Sequence, residues 1–224
     1  MRVDASYNNT ALIKIDFAAE NDIANRHIGE ENKSKFPYFN FVSNEKIHDQ
    51  LKSLSSINRP FSLTFFACHI DKNTVDLLNL IPEIQSLVFL YCSFDQCTLK
   101  NINTSKYFFS LMLTKCTSSH GWKEILHGIK NFHKLSIGQS SIQNDDWQSF
   151  FSTQTNINEV EILFTDIPEN IFHKVTFSSN LKMVNIINSS ISEKDVYVLI
   201  NSLDKKTILK LSNITKKTNP LVNE

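Results

Sequence analysis

Three stretches decide the fold: Leu63-Thr64-Phe65-Phe66-Ala67-Cys68, Leu87-Val88-Phe89-Leu90-Tyr91-Cys92 and Leu111-Met112-Leu113-Thr114-Lys115-Cys116. Each opens on leucine, places a second large apolar residue two positions on, and closes on cysteine. The cysteines are evenly spaced, since 92 − 68 = 24 and 116 − 92 = 24. Three residues before each leucine stand Pro60, Ile84 and Phe108. The unit is therefore apolar-x-x-Leu-x-apolar-x-x-Cys.

The frame extends both ways. Ile15, Phe39, Leu63, Leu87, Leu111, Leu135, Val160, Val184 and Leu209 follow one another at 24 or 25 residues. A period held along the whole chain marks a repeat architecture, in which each unit buries its apolar face only against its neighbours. Alternation along each short stretch predicts a strand, with pairs such as Leu63 and Phe65 pointing inward. Asn44, Cys68, Cys92, Cys116, Ser140, Thr165 and Ser189 occupy the turn after the strand. A small side chain able to hydrogen-bond suits that place, because backbone groups in a buried turn must be satisfied.

The second half of each unit carries helical spacing: Val75, Leu78 and Ile81; Trp122, Ile125, Leu126 and Ile129; Trp147, Phe150 and Phe151; Val196, Leu199 and Ile200. Asp71, Asn144 and Ser192 stand where N-caps help. Thr98 to Ile102 and Ile171 to Val175 are too short for more than one turn or an irregular segment. At the end of the array Lys206 stands where other units are apolar, and the tail from Thr215 turns polar.

The pattern L-x-x-L-x-L-x-x-N/C-x-L resembles the leucine-rich-repeat superfamily. That resemblance implies an α/β solenoid of about nine units: a horseshoe with a parallel β-sheet on its concave face and helices or irregular segments on its convex face. Residues 1–224 read as one such array, with 1–35 a degenerate N-terminal capping unit, 36–203 regular repeats, and 204–224 a C-terminal cap and tail. Departures are Pro60 in a strand slot, phenylalanine often in place of leucine, and Ser118 where an apolar residue is expected. The layout is similar to ribonuclease-inhibitor-like arrays and to leucine-rich-repeat effectors of intracellular bacterial pathogens. It implies a non-enzymatic module that binds a protein through its concave face, inhibiting a partner enzyme by occlusion or serving as a scaffold.

Composition narrows the alternatives. Lysine plus arginine equals aspartate plus glutamate at 23 each, so the chain lacks the positive footprint of a nucleic-acid binder. Lys205, Lys206, Lys210, Lys216 and Lys217 form the one basic cluster, which reads first as a solvated cap and second as a weak nucleic-acid or membrane contact. With 4 glycines and no phosphate-loop or dinucleotide fingerprint, no small-molecule cofactor is expected. No C-x-x-C pair and no one-face histidine pair points to a metal, and His69, His120 and His127 read as surface or half-buried side chains. Met1 to Tyr7 lacks an apolar signal region and no run spans a bilayer, so the expected place is the cytoplasm, or a host cytoplasm for an effector. The array is expected to be monomeric alone.

Outward strand positions are then the candidate site. Phe66, Val88, Leu90, Tyr91 and Met112 form an expected apolar patch, with Lys115 beside it. Leu163, Phe164, Met183 and Ile187 form a second, and Glu159 with Glu161 an acidic strip suited to a basic partner. Cys97 falls on the convex side, and the three repeat cysteines read as structural.

Overall fold

The computed structural model describes residues 13–16, 38–42, 47–81, 83–95, 99, 109–126, 129, 132–151 and 157–217. These form an α/β fold around a large parallel sheet. Its strands are β1 (Ile13–Asp16), β2 (Tyr38–Val42), β3 (Phe61–Phe66), β5 (Ile84–Leu90), β7 (Phe109–Thr114), β9 (Phe132–Gly138), β10 (Glu159–Leu163), β11 (Met183–Ile187) and β13 (Ile208–Ser212). Two-residue strands β4 (His69–Ile70), β6 (Ser93–Phe94) and β8 (Thr117–Ser118) make a second small sheet, and β12 (Ser190–Ile191) pairs with β14 (Thr215–Lys216). Helices α1 (Ile47–Leu54), α2 (Lys72–Asn79), α3 (Trp122–Leu126), α4 (Asn144–Phe151) and α5 (Glu193–Ser202), with a 3-10 turn at Ile171–Lys174, cover one side.

Strands β2 to β13 lie side by side in chain order. Their register follows the sequence frame: Phe39, Leu63, Leu87, Leu111, Leu135, Val160, Val184 and Leu209 are successive partners. From Leu63 onward each of these is buried, as are their second residues Phe65, Phe89, Leu113, Ile137, Ile162, Ile186 and Leu211. Together with the helix stripes they make one apolar core.

Phenylalanine replaces leucine where rings can stack across units. Phe41, Phe65 and Phe89 lie nearly parallel, with centroids 4.8 and 4.9 Å apart. Phe94 and Trp122 continue the row edge-on. Pro60 is accommodated by a shift of register that brings Phe61, fully buried, level with Ile84. Ser118 fits a turn, its hydroxyl donating to the Gly121 carbonyl at 3.0 Å. In the last unit Thr207 rather than Lys206 turns inward, and its hydroxyl donates to Leu181 O at 2.7 Å.

The turn position behaves as the hydrogen-bond argument requires. Cys92 Sγ donates to Phe65 O of the preceding strand and to Leu90 O two residues back; Cys116 repeats this on Phe89 O and Thr114 O, and Ser140 on Leu113 O and Gly138 O. Thr165 and Ser189 reach the carbonyls two residues back. Asn44 lies outside the described residues.

Two expectations are corrected. Ile15 was placed beside Phe39 by the frame, yet β1 pairs with β13 on the opposite edge, with Ile13 against Leu209 and Ile15 against Leu211. Strand alternation specifies a face but not which edge a terminal strand joins. Asp71 and Ser192 are N-caps, accepting from Thr74 N and Asp195 N, but Asn144 is the first residue of α4. Asp146 takes over there, accepting from Gln143 N at 2.8 Å. The short segment at Ile171 is a 3-10 turn, and Thr98 and residues 100–102 lie outside the described residues.

Candidate binding face

On the sheet face away from the core the side chains form columns across the strands. One column is Val42, Phe66, Leu90 and Thr114 on four successive strands. The residue after each strand turns into the left-handed region: Ala67, Tyr91, Lys115, Gln139, Phe164, Asn188 and Asn213 have φ between 47° and 57°. There the Tyr91 N–H donates to Thr114 O and the Phe164 N–H to Ile187 O, so each turn is tied to the next strand. The same turn swings the side chain outward.

An apolar ridge results. Val42 is 68% exposed, Phe66 43% and Tyr91 52%. The Phe66 and Tyr91 rings are 5.5 Å apart. Lys115 Nζ sits 4.9 Å from the Tyr91 ring centre and donates to its hydroxyl at 3.1 Å. Val88, Leu90 and Met112 lie half-buried alongside. Val42 was missed by the sequence reading, although it occupies the same frame position as Phe66.

The C-terminal half of the face is arranged differently. Leu163, expected to be presented, is only 4% exposed. It lies against Gly138, where a Cβ would stand 3.1 Å from the Leu163 Cβ. Phe164 is exposed but apart from the ridge, while Met183 and Ile187 are half-buried and exposed Ile208 stands beside Met183.

The acidic strip is also corrected. Glu161 is 5% exposed and already occupied: it accepts from the Ser136 hydroxyl at 2.7 Å and Asn185 Nδ2 at 3.0 Å, and Lys134 Nζ lies 3.3 Å away. A buried carboxylate requires such compensation, so its charge is not offered to a partner. Glu159 is half-buried, 3.5 Å from His133 Nε2.

Elsewhere the reactive side chains are engaged. Cys68, Cys92 and Cys116 are thiols buried in the core. Burial pushes the Cys68 thiol up to about 11, and Cys92 is raised by its hydrogen bond with the Cys116 sulfur and by burial. The hydrogen bond with Cys92 lowers Cys116, against its burial; thiolate is the nucleophile, so the upward shifts work against reactivity at Cys68 and Cys92. His69 lies 3.2 Å from Asp95, and His120 Nδ1 is 2.7 Å from the Ser119 hydroxyl. Cys97 and His127 lie outside the described residues. In the basic cluster Lys216 pairs with Glu193 and Lys217 with Asp166. Among the described residues no group of histidine, cysteine and acidic side chains is arranged to hold a metal, and no helix is long and apolar enough to cross a membrane.

No known protein family matches the chain, and neither a curated protein nor a solved structure does so.

Proposed function

We propose that the chain is a solenoid of the leucine-rich-repeat type that binds a protein partner through the open face of its sheet, without chemistry of its own. The observation that carries this reading is the ridge of Val42, Phe66 and Tyr91, ending at Lys115. Inward frame residues are buried almost without exception, so the sequence places apolar side chains inside wherever folding needs them. Three adjacent large apolar side chains left in water have no such role, and patches of this kind mark interaction sites.

Backbone strain supports the same reading. A non-glycine residue in the left-handed region costs roughly 1–2 kcal/mol, least for asparagine. Asn188 and Asn213 meet that demand cheaply, whereas Tyr91 and Phe164 hold bulky rings there. Strain retained at an exposed aromatic is expected where the ring has a use.

Binding would act by coverage: a partner seated on the ridge is masked over that area, which serves occlusion of an enzyme or scaffolding alike. Buried thiols suit the reducing cytoplasm.

The test is affinity capture with the intact chain and with a Phe66→Ala, Tyr91→Ala double variant, compared by mass spectrometry. At least one protein should be retained by the first and lost by the second, with thermal unfolding unchanged. Equal recovery on both would place the site elsewhere.

A further inference from the structure

Resting on the protein-binding reading above, we infer that the occupant of the ridge is an amphipathic α-helix of the partner, lying across the strands, whose apolar face ends in a carboxylate at Lys115.

Spacing favours a helix. The ridge crosses the sheet instead of following a strand, since Val42, Phe66 and Leu90 are register partners and Tyr91 and Lys115 follow on successive units. Neighbouring strands lie roughly 4.8 Å apart, so three steps cover about 14 Å. An α-helix repeats its face every ~5.4 Å, and three turns cover about 16 Å. An extended segment repeats a face every ~6.7 Å and runs out of step after two strands. A helix therefore meets one rung per turn, with anchors at i, i+4 and i+7.

Charge fixes one end of that helix. From β2 to β7 the outward strand positions carry serine, threonine, asparagine and apolar side chains, among them the half-buried column Ser62, Ser86 and Ser110. Lys115 is the cation at the end of this uncharged stretch. It touches Tyr91, and no carboxylate pairs with it among the described residues. Lys134, on the next strand, is instead taken up by Glu161. The charge complement of Lys115 is an acidic group, one turn beyond the last anchor, at i+11.

The experiment uses a displayed library of helical miniproteins with one face randomised, selected on the intact chain. Enriched binders should carry large apolar residues at i, i+4 and i+7 and Asp or Glu at i+11. Lys115→Glu should weaken them about tenfold or more, and exchanging their acid for lysine should restore binding to that variant. Binders that need Phe66 and Tyr91 but ignore Lys115, or that enrich Lys or Arg at i+11, overturn the inference and leave the ridge as a binding site. Binders indifferent to Phe66→Ser and Tyr91→Asn overturn both. A library that yields no binder overturns the helical occupant alone, because capture by the natural partner tests the ridge separately.

Discussion

The carboxylate of Asp146 accepts the backbone N–H of Trp122 at 2.6 Å, reaching from one unit to the helix of the unit before it. The same oxygen accepts from Lys123 N at 2.8 Å, and the other from Gln143 N. Asp195 repeats the device, accepting from Asn170 N at 2.9 Å and from the Ser192 hydroxyl. Both lie at one frame position, since 146 − 135 and 195 − 184 each give 11. A buried aspartate thus joins neighbouring units by satisfying helix-end donors that have no partner of their own.

Replacing Asp146 by alanine leaves three N–H groups without acceptors. The expected loss is about 1–3 kcal/mol: the Trp122 N–H is buried and carries the full penalty of an orphaned donor, while those of Lys123 and Gln143 are part-buried and partly recovered by water. Urea denaturation of Asp146→Ala and of Asp195→Ala should show comparable falls in midpoint. A loss below about 0.5 kcal/mol in both would contradict the linking role.

The two kinds of capping aspartate should respond oppositely to acid. Burial raises Asp146 above its ordinary 3.8, outweighing its backbone hydrogen bonds. At Asp71 burial also pushes upward, but the Thr74 hydroxyl and N–H, with His48 beside them, hold the carboxyl below 3.8. A depressed folded value means stability that is present above pH 3.8 and lost as pH falls through the folded pKa. A raised value means stability that declines as pH climbs from 3.8 through the folded pKa. The stability advantage of wild type over Asp71→Asn should therefore shrink below pH 3.8. Carboxyl chemical shifts should titrate above 3.8 for Asp146 and below it for Asp71.

Gly138 is a point of close approach. An added Cβ would lie 3.1 Å from Leu163 Cβ and 3.2 Å from its carbonyl oxygen. Gly138→Ala should cost about 1–2 kcal/mol by forcing β9 and β10 apart, read as a lowered denaturation midpoint. A neutral result would mean that the strands part without cost.

The left-handed row gives a signed prediction at Ala67, which is exposed, with φ 53°. Ala67→Gly should stabilise by up to about 1 kcal/mol, and Ala67→Val should destabilise by more than about 1 kcal/mol. Equal stabilities would show that this turn relaxes out of the left-handed region.

Much of this architecture is legible in the sequence, because repeat periodicity and strand pairing express the same constraint. A residue 24 or 25 positions on, such as Leu87 after Leu63, is also its register partner. The cysteines were legible as structural for the same reason. Asp146 and Asp195 were not, since a buried carboxylate on a helix reads as a break in the apolar stripe until its donors are seen. Nor was the burial of Glu161 and Leu163, which depends on Ser136, Asn185 and Gly138 in adjacent units and not on their own place in the frame. Tyr91 and Phe66 were legible as outward positions; the exposure of Phe66 follows from strand alternation, while that of Tyr91 follows from the left-handed turn, which no residue type at Tyr91 announces.

Calorimetric titration of the captured partner into wild type and into the Phe66→Ala, Tyr91→Ala variant decides whether these two rings hold a protein partner. Two aromatic anchors of about 1.5–2 kcal/mol each predict a loss of affinity of at least ~100-fold at unchanged fold stability. Affinity within about twofold of wild type would contradict it.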